Sequence, residues 1–195
     1  VTLVSIAAAW NTNNSGDWAN TANWTNATVP NGGVYDVTFG SAITSTQTVY
    51  TKSDVTVGTL TFNNSSASYF VGGPGKITML GANSAINVTS GSHVLTPGTL
   101  DFAASTVVSV PTGTSLTLGG TSGGVVVEAG KSVTKTGSGT LNVIGKLTVN
   151  SGGSWGLAAA PSVALASAIV TDGISGEGTV DLTNNKAIIH NGSMT

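Results

Sequence analysis

The chain has 195 residues, enough for one sizeable domain with its own core. Only 7% of them are charged, the net charge is −2, there is no Arg, and the six lysines are scattered, so the clustered cations that nucleic acid demands are missing. There is no cysteine and no apolar run of about 18 residues, which excludes disulfide scaffolds, thiol chemistry and a helical membrane span, while 39% hydrophobic content argues against disorder.

In chain order, the first element is Val1–Ala9. Val1, Leu3, Val4 and Ile6 place apolar side chains on both faces of an extended segment, which therefore seeks cover on both sides. Ala7-Ala8-Ala9 would also suit the end of a cleaved leader. Next comes an Asn-rich stretch holding three of the four tryptophans, Trp10, Trp18 and Trp24. Those rings either cover the open end of a hydrophobic stack or present flat faces for sugar stacking; the first reading is preferred, because the first coil of a repeat stack needs a lid. Residues 1–50 are read as this N-terminal strand and cap, and residues 51–195 as a strand stack.

From residue 51 onward short strands alternate with Gly, Asn, Ser and Pro. The expected strands are Val55–Phe62, Lys76–Leu80, Ala85–Thr89, Thr106–Val110, Ser115–Leu118, Val125–Glu128, Thr140–Ile144, Lys146–Asn150 and Thr179–Leu182. Leu157–Ile169 is Ala-rich but carries Pro161, and reads as a loop or irregular strand. A Gly-Thr-Leu/Val-x-apolar pattern starts at Gly58, Gly98, Gly139 and Gly178, at intervals of 40, 41 and 39 residues. Two coils of roughly 20 residues would fit each interval. The expected fold is all-β, a right-handed parallel β-helix (solenoid) with a Trp-rich N-terminal segment; the alternative is a β-sandwich or jelly roll. The strand-like segments at 1–9 and 187–190 leave edges that would recruit one another, which predicts end-to-end filaments.

Ala9–Gly32 (A-W-N-T-N-N-S-G-D-W-A-N-T-A-N-W-T-N-A-T-V-P-N-G) resembles the opening segment of bacterial autotransporter-associated β-strand-repeat proteins. Val37–Ala42, Val57–Asn64, Gly137–Gly145 and Val180–His190 are similar to later segments of the same family. The resemblance implies a secreted or surface-displayed β-solenoid and carries over no catalytic residue. Such proteins usually run on into a membrane barrel or a sorting tail. Thr195 is reached without either, so anchoring through the chain's own C-terminus is not expected.

No constellation of residues makes a convincing catalytic, cofactor or metal site. The two histidines, His93 and His190, lack a motif that would supply an orienting carboxylate. Polysaccharide cleavage needs two carboxylates side by side, and no Asp or Glu are adjacent in sequence. The oxygen-rich loops Asn11–Asp17 and Asp172–Glu177 lack calcium-loop spacing. Asn-x-Ser/Thr sequons at Asn13, Asn23, Asn26, Asn63, Asn64, Asn87 and Asn191 are candidate glycan acceptors. The reading is a secreted, non-enzymatic structural subunit that binds copies of itself. A carbohydrate-binding or adhesive module is the first alternative and a polysaccharide-active β-helix enzyme the second.

Overall fold

In the computed structural model, described here for residues 4–158 and 168–189, the chain winds into a parallel β-solenoid with three faces. It begins with β1 (Ile6–Ala9), which pairs with β3 (Gly32–Phe39), and β3 pairs in turn with β5 (Val55–Asn63). β5 is long enough to turn a corner. Its first half pairs with β7 (Lys76–Met79) and its second half with β8 (Ala85–Ser90), and the sheet divides there. One branch continues through β10 (Thr99–Phe102), β13 (Gly124–Val127), β16 (Lys146–Val149) and β19 (Gly173–Ser175). The other continues through β11 (Thr106–Ser109), β14 (Ser132–Thr136), β17 (Ser154–Leu157) and β20 (Thr179–Asp181). The third face stacks β2 (Gly16–Asp17), β4 (Gln47–Tyr50), β6 (Tyr69–Gly72), β9 (Ser92–Thr96), β12 (Ser115–Gly119) and β15 (Thr140–Ile144). Beside β15 lies β18 (Ala168–Thr171), paired with β21 (Lys186–Ile189).

Every ladder between these strands is parallel, whereas a sandwich or jelly roll is built from antiparallel pairs. Among the described residues the isolated antiparallel bridge is Trp10 with Trp24. Alternation explains the pairing. In β5, Val55, Val57, Leu60 and Phe62 face inward and are buried, while threonines lie between them on the outer side. Stacking coils in register then aligns inward residues into continuous columns. On the first face the column is Val55, Ile77, Leu100, Val125, Leu147 and Ile174, successive members lying 22 to 27 residues apart.

That spacing corrects the expectation of roughly 20-residue coils. Because a coil is longer, a 40-residue interval is not a whole number of coils, and the four Gly-Thr motifs fall on different faces. Leu60 lies on the second face, Leu100 on the first, Leu141 on the third and Val180 on the second. Leu60, Leu100 and Leu141 are fully buried and Val180 partly so, hence all four turn toward the core but not on equivalent sides. β3 and β4 are full members of the stack, and one hydrophobic core runs from Ala8 and the tryptophans through Val37 to Ile169. Residues 159–167, including Pro161, lie outside the described residues.

The second face contains one foreign member. Its inward column reads Ala8, Val37, Leu60, Ile86, Val108, Lys135 and Leu157. Lys135 is 1% exposed, and its ammonium donates hydrogen bonds to the carbonyls of Gly137 and, at 2.8 Å, Gly139. Burial pushes its pKa down from 10.5 to about 8. Between those two values the unfolded chain holds a proton that the folded chain has released, so stability rises with pH across that window. Denaturant unfolding from pH 8 to 10.5 is expected to show this rise in the wild type and to lose it in Lys135→Met.

Candidate functional site

Three places gather side chains able to do something other than fill a column. The first is the N-terminal end of the stack. Trp10, Trp18 and Trp24 are 1–2% exposed. Trp24 packs edge-on against both others, at centroid distances of 5.2 Å to Trp10 and 4.8 Å to Trp18. Trp18 Nε1 donates to the Pro30 carbonyl at 2.9 Å and Trp24 Nε1 to the Trp18 carbonyl at 2.6 Å. Two short 3-10 turns, Thr21–Asn23 and Thr25–Ala27, carry the chain across this end. The aromatic packing continues down the axis, from Trp24 to Phe39 (6.0 Å), to Phe62 (5.1 Å) and to His93 (5.1 Å). The tryptophans therefore form a lid, and their buried faces are closed to sugar stacking.

The same region fixes the N-terminal strand. Ile6, Ala7, Ala8 and Ala9 pair with Tyr35, Asp36, Val37 and Thr38 of the same chain. On its other edge Ala9 N donates to Thr25 Oγ1 at 2.9 Å, and Trp10 bridges Trp24. Val4 is 79% and Ile6 45% exposed; Val1 and Leu3 lie outside the described residues.

A second cluster sits on the outer side of the first face. Asp101 of β10 is only 7% exposed, meets Lys76 Nζ at 3.4 Å, and has Oδ1 buried without a hydrogen-bond donor. Burial raises its pKa, Lys76 lowers it, and the Glu128 carboxyl of the next coil raises it again. Asn150 Nδ2 donates to Glu128 Oε2 at 3.2 Å. Two carboxyls are thus brought together from positions 27 residues apart, a juxtaposition invisible without the coil length. Its low exposure leaves Asp101 little surface to offer a polysaccharide. His93 is likewise structural: it is 2% exposed, accepts from Tyr69 N on Nδ1 (3.1 Å) and contacts the Ser90 carbonyl through Nε2 (2.9 Å). His190 lies outside the described residues.

The third place is a cleft of about 300 Å³ on the outside of the first coils, lined by Val4, Ser5, Asp36, Thr59, Ala82 and Asn83 over a floor of glycine backbone. Thr59 Oγ1 donates to Asp36 Oδ1 at 2.8 Å, which fixes the carboxylate against one wall.

The sequons divide by burial. Asn64 is 5% exposed; its amide donates to the carbonyls of Gly40 (3.2 Å) and Ile43 (2.9 Å), and its Oδ1 accepts from Ser66 N and Ala67 N. It is a clamp between coils and cannot carry a glycan in the folded chain. Asn23 is half-buried with its amide on the Asp17 carbonyl, and Asn13 holds Thr44. Asn26 and Asn63 are exposed and Asn87 half-buried, while Asn191 lies outside the described residues. Compared with protein-family models, curated proteins and solved structures, the chain matches none.

Two outcomes test these assignments. Trp18→Ala should lower unfolding free energy by about 3–5 kcal/mol in denaturant titrations, as loss of a core aromatic does. Burial holds the His93 pKa below its usual 6.5. The unfolded state therefore takes up a proton first, and stability should fall as pH drops below about 6.5. Thermal melts across that range should show a shallower fall in His93→Gln.

Proposed function

We propose that the chain is a non-enzymatic structural subunit that works outside the cell or on its surface, with copies adding end to end. The observation that carries this reading is the set of unbroken interior columns running from coil to coil beneath a Trp lid. A rod built this way resists bending and offers a protease few loose segments, because each coil's backbone is bonded to the coils beside it. Its outer rows, such as Thr61, Asn87 and Ser109 with Thr136, are neutral hydroxyls and amides, suited to hydration without charge. The resemblance to autotransporter-associated repeat proteins supports surface display.

End-to-end addition draws its support from the second face. Its outermost strands among the described residues, β1 and β20, each have a single strand partner, and the strands of that face run parallel. A second copy placed on either edge would extend the face in the same direction, a heterologous contact that grows into an open filament. The Thr25 and Trp24 contacts cover β1 near Ala9, so the docking edge is the Val4–Ala8 side, with Val4 and Ile6 as its apolar groups. Light scattering and negative-stain microscopy of the wild type should show mass and length growing with concentration. Val4→Asp combined with Ile6→Asp should remain monomeric with an unchanged melting temperature. A wild type that stays monomeric at high concentration, or a double variant that still forms fibres, would overturn the assembly mechanism.

A further inference from the structure

We propose that the cleft floored by Gly33, Gly58 and Gly81 is a binding site for a neutral sugar ring. The cleft borders the end strand β1 and shares Val4 and Ser5 with the docking edge proposed above, so its test rests on the side of the cleft formed by Ala82 and Asn83, which that edge does not include.

The floor is bare backbone because the coils approach too closely there for any side chain. A Cβ on Gly58 would stand 2.5 Å from the Gly33 carbonyl oxygen, and one on Gly33 would stand 2.0 Å from the Leu80 oxygen. Packing therefore forbids substitution that would fill the cleft from below. Its volume of about 300 Å³ lies at the lower bound of small-ligand sites.

The walls sort into two kinds. Val34, Ala82 and Val4 supply apolar contact, suited to the C–H face of a pyranose. Ser5, Asp36 and Asn83 supply a hydroxyl, a carboxylate and an amide. Asp36 sits in the outward row between Ala7 and Thr59, and only its Oδ1 is engaged by Thr59. The remaining carboxylate oxygen accepts, and the Asn83 amide both donates and accepts, which is the complement of vicinal hydroxyls. None of the described lining residues is cationic, so an anionic ligand would meet the Asp36 charge without compensation. One carboxylate falls short of the six to eight oxygen ligands that calcium takes.

The test is an amide-resolved NMR titration of the full chain with the methyl glycosides of glucose, galactose and mannose, and with methyl glucuronide. At least one neutral glycoside should give saturable shifts centred on Gly33, Gly58 and Gly81, with a dissociation constant on the order of 1 mM. Methyl glucuronide should bind more weakly. Asn83→Ala and Ala82→Trp both alter exposed positions. Each should weaken binding by about tenfold or more, with unchanged melting; Asn142→Ala, on the third face, should bind as the wild type does. The proposal is overturned if no neutral glycoside shifts these glycines, if the shifts centre elsewhere, if the glucuronide binds more tightly, or if the cleft variants bind normally.

Discussion

The register between neighbouring coils is the constraint from which the rest of this structure follows. Each strand bonds its backbone to the strands of adjacent coils about 4.8 Å away, and parallel pairing in register places like positions directly above one another. One inward residue therefore never packs alone. Leu60 sits between Val37 and Ile86, and Ile77 between Val55 and Leu100. The core is a bundle of columns, and any local defect is shared with the coils on either side. Stability of this kind needs neither disulfides nor surface ion pairs. Among the described residues the ion pairs are Lys52 with Asp17 on the surface, which adds little, and Lys76 with the buried Asp101.

Repetition creates a problem at its ends, since the last inward layer has no neighbour. At the N-terminal end the chain solves it with volume. Three indoles are turned edge to face under two short 3-10 turns, and Phe39 and Phe62 stack beneath them with ring planes 20° apart. The aromatic column thins to His93 and then gives way to aliphatic residues such as Leu116 and Leu141. Asn64 closes the same region from the outside by holding the Gly40 and Ile43 carbonyls.

Much of this was legible in the residues. Alternation of apolar and hydroxyl residues marked β5, β12 and β15 almost to their ends, because a half-buried strand imposes a period of two. The clustering of three tryptophans marked the lid. What could not be read was the coil length. Corners absorb differing numbers of residues without disturbing the ladder, so the Gly-Thr spacing near 40 carried no fixed relation to a face. Without coil length, Asp101 and Glu128 appeared remote, and the cleft around Asp36 and Asn83, assembled from segments in consecutive coils, left no local pattern. The inward placement of Lys135 followed the alternation of S-V-T-K-T in β14, yet a lysine is ordinarily assigned to the surface whatever its phase.

Lys135 also bears on how a repetitive chain chooses one arrangement over its near-equivalents. Val, Leu and Ile columns look alike from coil to coil, so a coil misplaced by one level would lose little apolar contact. The ammonium sets one coil apart from the rest. In its native level it reaches the Gly137 and Gly139 carbonyls. Its neighbours above and below in the column, Val108 and Leu157, are aliphatic like the other members, so the ammonium is held by its own coil rather than by the adjacent ones. Here the polar tie is internal to the coil of β14, an enclosed cation bound to its own turn inside an otherwise aliphatic column.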